Sequence, residues 1–296
     1  MKESKKLSIL AHGVLFFFTA SAVFPFLLLI IASFTDNRWA TANGFTLFPG
    51  KWSLEAYEYI ARQWATIGHA YAMTFIVTIT GTAGSLLVTA LFAYALSHTE
   101  YPGIKLMNFL CVFTMLFSGG IVATYYCWVN IFHVRDTLAA LIFPNLFMTA
   151  FNVMLVRNYF RNSIPLSLIE AARIDGAGET KIFFQIVMPL SLPILATIGL
   201  LVGISYWNDW TNGLYYLTDR KGSDLFTIQI VLNKINENLN FLLKNASSLG
   251  ITNLSGLPTT TARMAIAVVG ILPVLAIYPF FQKYFVKGIT LGGVKE

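Results

Sequence analysis

The sequence predicts an all-α fold, a polytopic membrane helical bundle with six transmembrane helices, and three observations carry that prediction. Hydrophobic residues make up 56% of the chain and charged residues only 11%, against about 25% charged in soluble domains. Asp, Glu, Lys and Arg are absent from six stretches: Leu7–Thr35, Gln63–Thr99, Leu106–Val134, Thr137–Val156, Ile182–Asn208 and Met264–Gln282. Each approaches or exceeds the roughly 20 residues that carry a helix across about 30 Å of hydrocarbon. One Asp or Lys at a bilayer centre costs on the order of 3 kcal/mol, so this pattern is not that of a soluble core. The runs are also continuous rather than alternating in segments of about ten residues, which excludes a β-barrel. Only helices or closed barrels satisfy their backbone in lipid.

Taken in order, the spans fall at about 7–34, 70–98, 106–132, 137–157, 184–208 and 262–282, within one transmembrane domain, 1–296. The basic start Met1–Lys6 is also how a signal peptide begins. The apolar run continues through Phe24–Phe34, well past a signal core of about 7–15 residues, so it reads as the first span. Cys111 and Cys127 sit about four turns apart in the third span, where they read as small buried hydrophobes.

With six spans both ends share one side. Lys2, Lys5, Lys6, Lys105, Arg157, Arg161, Arg173, Lys181, Lys283 and Lys287 flank that side near span ends. Positive-inside weighting assigns both termini to the cytoplasm. The net charge of +6 is scattered among short loops without stacking aromatics, so no nucleic-acid surface is implied. The opposite side carries two long loops. Residues 35–69 hold the turns Asn43-Gly44 and Pro49-Gly50, then a short amphipathic helix around Leu54–Ile60 with Ser53 as its cap. Residues 209–261 hold an apolar, helix-compatible patch, Phe226–Leu243, then the polar Asn245–Thr261. Loops of that length are usually functional, here as a docking surface for an external partner.

The loop at about 162–189 reads as two short helices with a bend. Ser163 is placed to cap the first, and Pro165 stands where a missing N–H does no harm. Asp175-Gly176 ends it, since glycine accepts the left-handed conformation past a helix end. Glu179 opens the second helix at the positive end of its dipole, and Pro189 precedes the fifth span. Ala171 and Ala172 keep the first helix slender.

Those residues resemble the EAA loop of ABC importer permeases: Glu170-Ala171-Ala172, three residues, Gly176, nine residues, Ile186, one residue, then Met188-Pro189. Met188 stands where that family usually has Leu, a volume-conserving exchange. Asp175-Gly-Ala177, Pro189-Leu-Ser-Leu-Pro193, Trp207-Asn208-Asp209 and the tail Gln282–Glu296 are similar to the six-span, maltose-type carbohydrate branch, close to permeases for complex oligosaccharides such as aldouronates.

The resemblance implies the type I importer permease fold and a binding-protein-dependent carbohydrate import system. It implies partners: a second homologous permease, two cytosolic ATPase subunits, and an extracellular or periplasmic sugar-binding protein. The chain itself would be no enzyme and hold no cofactor, ATP and Mg being bound by the ATPase. Segment 163–185 would be the coupling helix, with Glu170, Ala171, Ala172, Asp175, Gly176, Ala177, Phe183 and Pro189 at the ATPase. Glu170 would be the polar anchor and Gly176 the bend. The tail Gly288–Glu296 lacks apolar bulk, which leaves disorder or an ATPase contact.

For the sugar path, aromatic faces and amides within spans are the candidates: Tyr125, Tyr126, Trp128, Asn130, Asn152, Tyr206, Trp207 and Asn208. The same residues equally fit interfacial anchoring or interhelical bonding. A secondary transporter would want carboxylates within its spans, and none lies in the six runs. A membrane enzyme would want paired catalytic groups, but His12, His69, His98 and His133 stand isolated. An importer for amino acids or a metal remains open beside the carbohydrate reading.

Overall fold

The computed structural model describes residues 5–98, 100–245 and 259–291, and among these no strand forms, apart from a single bridge between Thr35 and Trp52. The helices are α1 (Lys5–Ser33), α2 (Asn37–Asn43), α3 (Glu55–Ala61), α4 (Trp64–Ser97), α5 (Ile104–Leu116), α6 (Gly120–Tyr126), α7 (Leu138–Ile142) and α8 (Ala150–Ser163). They continue as α9 (Leu166–Ile174), α10 (Glu179–Ile182), α11 (Met188–Leu190), α12 (Leu192–Asn208), α13 (Thr211–Tyr216), α14 (Ile228–Asn245) and α15 (Thr259–Leu291). In two segments, Cys127–Ile131 and Phe183–Val187, the ladder widens to π-helical spacing.

Three of the helices are long and apolar enough to cross a bilayer unaided: Ser8–Ser33, Trp64–Ser97 and Thr260–Ile277. The fifth predicted run is bent, with Glu179–Leu190 and Leu192–Asn208 meeting at 79°. Ser191 sits at that joint, fully buried, its hydroxyl without a hydrogen-bond partner among the described residues.

Two runs expected to be continuous are broken. Residues 106–132 divide where Phe117 turns extended and Gly120 takes a positive φ of 75° before α6. Residues 137–157 divide after Ile142, where Pro144 removes a donor and Asn145 sits at φ 61°. Thr149 is extended before α8 begins. The last helix runs on to Leu291, so Gly288–Leu291 continues the helix rather than forming a tail. Residues 292–296 of the expected tail contact and 246–258 of the expected docking loop lie outside the described residues.

The chain forms two compact units. In the first, residues 1–68 and 232–273, Asp36 begins α2 by accepting the Trp39 N–H at 3.0 Å and paires with Lys51 at 3.0 Å. Those donors, the Trp39 N–H foremost, hold its carboxyl below the usual range. Ser53 accepts the Glu55 N–H at 3.1 Å, but the N-cap of α3 is Leu54, with no side-chain cap, because the helix begins one residue later than predicted. The Asn37 amide oxygen accepts the Thr260 and Thr261 N–H groups. The side chains of α1 described here are largely exposed.

The second unit, residues 69–231 and 274–296, holds the main core. Val77, Ala90, Ala93, Val153, Val156, Ile182, Ile198 and Tyr206 pack there, fully or almost fully buried. Small residues on α4 allow close approach: a Cβ added at Gly81 would stand 2.5 Å from the Tyr206 ring. That contact positions α12 against α4.

Candidate functional site

The segment between α8 and α12 forms a helix, a left-handed turn and a second helix. Pro165 precedes α9 in extended conformation and no side chain caps that helix. Ser163 therefore does not cap it, because it is the last residue of α8. Asp175 closes the helix and Gly176 follows at φ +80°. The Ala177 N–H donates to the Ala172 carbonyl at 2.9 Å and the Gly176 N–H to the Arg173 carbonyl at 3.0 Å. This is the Schellman arrangement, which satisfies carbonyls a helix end would otherwise leave open. Open space surrounds the position of a Cβ on Gly176, so its requirement there is conformational rather than steric.

Burial divides the predicted coupling residues into two groups. Glu170, Ala171, Asp175, Gly176 and Pro189 are exposed. Ala172 and Ala177 are half-buried against the core. Phe183 is only 2% exposed, with its ring 5.2 Å from Tyr94 and 4.9 Å from Phe184. The structure thus brings Phe183 to the core and not to an open surface, where it anchors the loop. The small size of Ala172 lets α9 close on Ala177, while Ala171 is the alanine that keeps the outer face slender.

That outer face also carries residues the motif reading passed over. Leu166 and Ile174 are 63% and 86% exposed, and with Glu170 they recur every fourth residue along one side of α9. Helical spacing within 166–174 was the available signal. An apolar stripe with a carboxylate at its centre, on a short helix held between two bends, is a surface suited to a protein groove.

A second missed feature joins the loop to α4. The Glu179 Oε1 accepts from Arg173 Nε at 3.1 Å and Nη2 at 2.9 Å. Its other oxygen accepts the Tyr94 hydroxyl at 2.6 Å, with His98 Nε2 at 3.9 Å. The Tyr94 hydroxyl foremost, together with Arg173, holds the Glu179 carboxyl below the usual carboxylate range, with burial opposing them. Tyr94 lies 85 residues before Glu179, and no sequence spacing signals that contact.

The predicted path residues separate in the same way. Tyr126 and Asn130 are exposed, and Asn208 is exposed with its amide donated to the Ile204 carbonyl at 3.0 Å. Tyr125 stacks on Tyr216 at 5.8 Å, and Trp128 packs against Phe132 and Phe143. Trp128 and Asn130 belong to the π-helical segment, a form often found at functional sites. Asn152 is buried. Tyr206 is 1% exposed with its hydroxyl donated to the Ile142 carbonyl at 2.7 Å, so it offers no free polar group. Trp207 is buried beside Phe75 and Tyr71. It also lines a cavity of about 440 Å³ with Phe75, Ile79, Leu86, Leu200 and Ile204. The walls of that cavity are apolar apart from Thr78 and Thr82, which would leave most hydroxyls of a sugar unpaired.

Residues 1–291 match the family described as binding-protein-dependent transport system inner membrane component. The chain is 39% identical to the polygalacturonan/rhamnogalacturonan transport system permease protein YtcP of Bacillus subtilis, with 99% of each chain covered. It is 30% identical to the arabinooligosaccharides transport system permease protein AraQ of Halalkalibacterium halodurans, covering 93% of this chain and 91% of that one. Among solved structures it is similar to a chain of a bacterial ABC transporter involved in the import of the acidic polysaccharide alginate. The TM-score there is 0.77 at 29% identity, with 96% of this chain and 98% of that chain covered.

Proposed function

Because the chain belongs to the family of binding-protein-dependent transport system inner membrane components, we propose that it lines half of the pathway through which an ATP-driven importer moves a complex oligosaccharide. It is a membrane-embedded permease subunit, and separate ATPase subunits hydrolyse the nucleotide. The other half of the pathway is a second, homologous permease. Two ATPases dock from the cytosol, bringing ATP and Mg with them, and an external binding protein delivers the sugar. Both termini are cytoplasmic in this reading. The six crossings are α1, α4, the α5–α6 pair with its π-helical extension, the α7–α8 pair, α12 and α15.

The observation that carries the reading is the outer face of α9. A helix exposing Leu166, Glu170 and Ile174, held by a left-handed turn at one end and set before a 79° bend, fits the groove of a second protein. It lies within segment 163–185, where the coupling helix was expected, and takes up nine of those residues. ATP-driven closure of the ATPases displaces α9, and the bundle then switches between outward and inward openings. An oligosaccharide cargo is supported by the names of the relatives, which include carriers of polygalacturonan, rhamnogalacturonan and arabinooligosaccharides. Tyr126, Asn130 and Asn208 supply the exposed aromatic and amide groups that such a cargo needs.

The docking test is Ile174→Asp. The Ile174 side chain is 86% exposed, so folding is expected to be unchanged while co-purification of the ATPase drops roughly tenfold or more. Full retention of the ATPase would overturn the docking assignment. For the cargo, a panel of galacturonate, arabinose and glucose oligomers is offered to vesicles containing the reconstituted importer. Uptake of none of them, with an amino acid taken up instead, would overturn the carbohydrate reading.

A further inference from the structure

Three elements meet on the Glu179 side chain. Arg173 comes from the last turn of α9, Glu179 opens α10, and Tyr94 lies near the end of α4. Arg173 occupies one carboxylate oxygen with two donors and Tyr94 the other with one. Hydrogen bonds to an ionised acceptor are shorter and roughly twice as strong as neutral ones, and the 2.6 Å Tyr94 contact is of that kind. The Tyr94 donor is fixed in place by packing. The Tyr94 ring is held among Phe183 at 5.2 Å, Phe160 at 6.4 Å and His98 at 4.6 Å. His98 in turn stacks on Tyr101 and sets its Nδ1 against the Tyr94 carbonyl. Arg173 and Glu179 face each other across the Gly176 turn, so their contact also fixes the angle of the bend.

We propose that Glu179 is a positioning residue of the transport cycle: its carboxylate staples α9, α10 and the end of α4 into one rigid piece, so that a displacement of α9 reaches α4 undiminished. Without the staple, α9 keeps its chain connections at Pro165 and Gly176 and the apolar contacts of Ile169 and Ala172, but the polar tie that links its end to α4 is gone. A push on α9 would then be absorbed by opening of the bend. The proposal rests on the reading that α9 is where the ATPase pushes.

The experiment uses Glu179→Gln and Tyr94→Phe, each in the complete importer in nanodiscs. Hydrogen exchange is followed over residues 166–182 and along α4, before and after trapping with MgATP and vanadate. Both variants are expected to bind and trap nucleotide like the wild type. Their α9–α10 amides should exchange roughly tenfold faster, the factor set by loss of a bond to a charged group. The change that trapping produces along α4 should largely vanish, which a purely structural role would not cause. The double variant should be no worse than Glu179→Gln alone, since both act through one carboxylate. Wild-type exchange in α9–α10, an undiminished response of α4, or additive single effects would each overturn the staple. Should Glu179→Gln fail to assemble, Tyr94→Phe decides, because it keeps the ring and removes only the donor. Ile174→Asp run in parallel separates the two ideas. If it abolishes docking while the staple variants behave as wild type, only the staple fails; if docking survives it, the coupling reading fails and takes the staple's role with it.

Discussion

Replacing Gly176 tests whether backbone conformation, and not side-chain room, sets the bend before the second loop helix. The residue stands at φ +80° with nothing within 4 Å of a built Cβ. Alanine would therefore clash with no neighbour, yet it would pay about 1–2 kcal/mol for the left-handed conformation. Asparagine, larger than alanine, pays less because its side chain tolerates that region. Valine, β-branched, pays more. The structure thus predicts the order Gly, Asn, Ala, Val for transport per ATP hydrolysed. Alanine should reduce the ratio of bent to unbent loop by roughly tenfold, because about 1.4 kcal/mol is a factor of ten. Two Schellman bonds, from Ala177 and Gly176, depend on the same geometry, so exchange of those two amides should rise in the same order. The assay is oligosaccharide uptake and ATP hydrolysis measured together in vesicles. An order that followed volume, with asparagine worse than alanine, would refute the conformational account, and so would four equal activities.

Three other outcomes follow from the contacts described. Gly81→Ala puts a methyl 2.5 Å from the Tyr206 ring and should lower stability by about 1–3 kcal/mol, seen as earlier thermal unfolding of the purified complex; an unchanged midpoint would show that α12 yields there. Asp36→Asn keeps an oxygen to cap α2, since Asn and Asp cap equally well, but loses the pair with the exposed Lys51 and should cost up to about 1 kcal/mol. Because the native Asp36 carboxyl is held below its ordinary value of 3.8, its contribution is complete above that value and fades as pH falls through the folded one, so wild type and variant should converge only in strong acid. The same sign holds for Glu179, whose ordinary value is 4.5. Protection of α9–α10 relative to Glu179→Gln should then be flat between about pH 6 and 8, and a loss within that window would contradict the lowered value.

The sequence disclosed the apolar segments well, because hydrocarbon excludes charge with no regard to how helices are joined. It disclosed the bend at Asp175-Gly176 for a similar reason, since one residue type alone takes that conformation cheaply. The breaks after Leu116 and Ile142 were harder. Gly119-Gly120 and Pro144-Asn145 are punctuation in any loop, but a prediction that rests on the absence of charge runs straight through them. The faces of α9 were invisible to a motif that treats Ala171 and Ala172 alike, although 100° of rotation separates one alanine on solvent from one against Ala177. Phe183 went to the wrong side for the same reason. The Glu179–Tyr94 contact is a product of the fold, as no local pattern links residues on two different helices.

The joint at Ser191 has a consequence for how far motion travels. Helix α12 extends from it for 17 residues, or about 25 Å, and carries Tyr206 and Trp207 near its far end. Two arms set at 79° work as a bell crank: a sideways nudge on the short arm becomes a swing of the long one. Each degree of rotation about the joint sweeps the Trp207 end through about 0.4 Å, so a turn of a few degrees shifts those rings by more than an ångström.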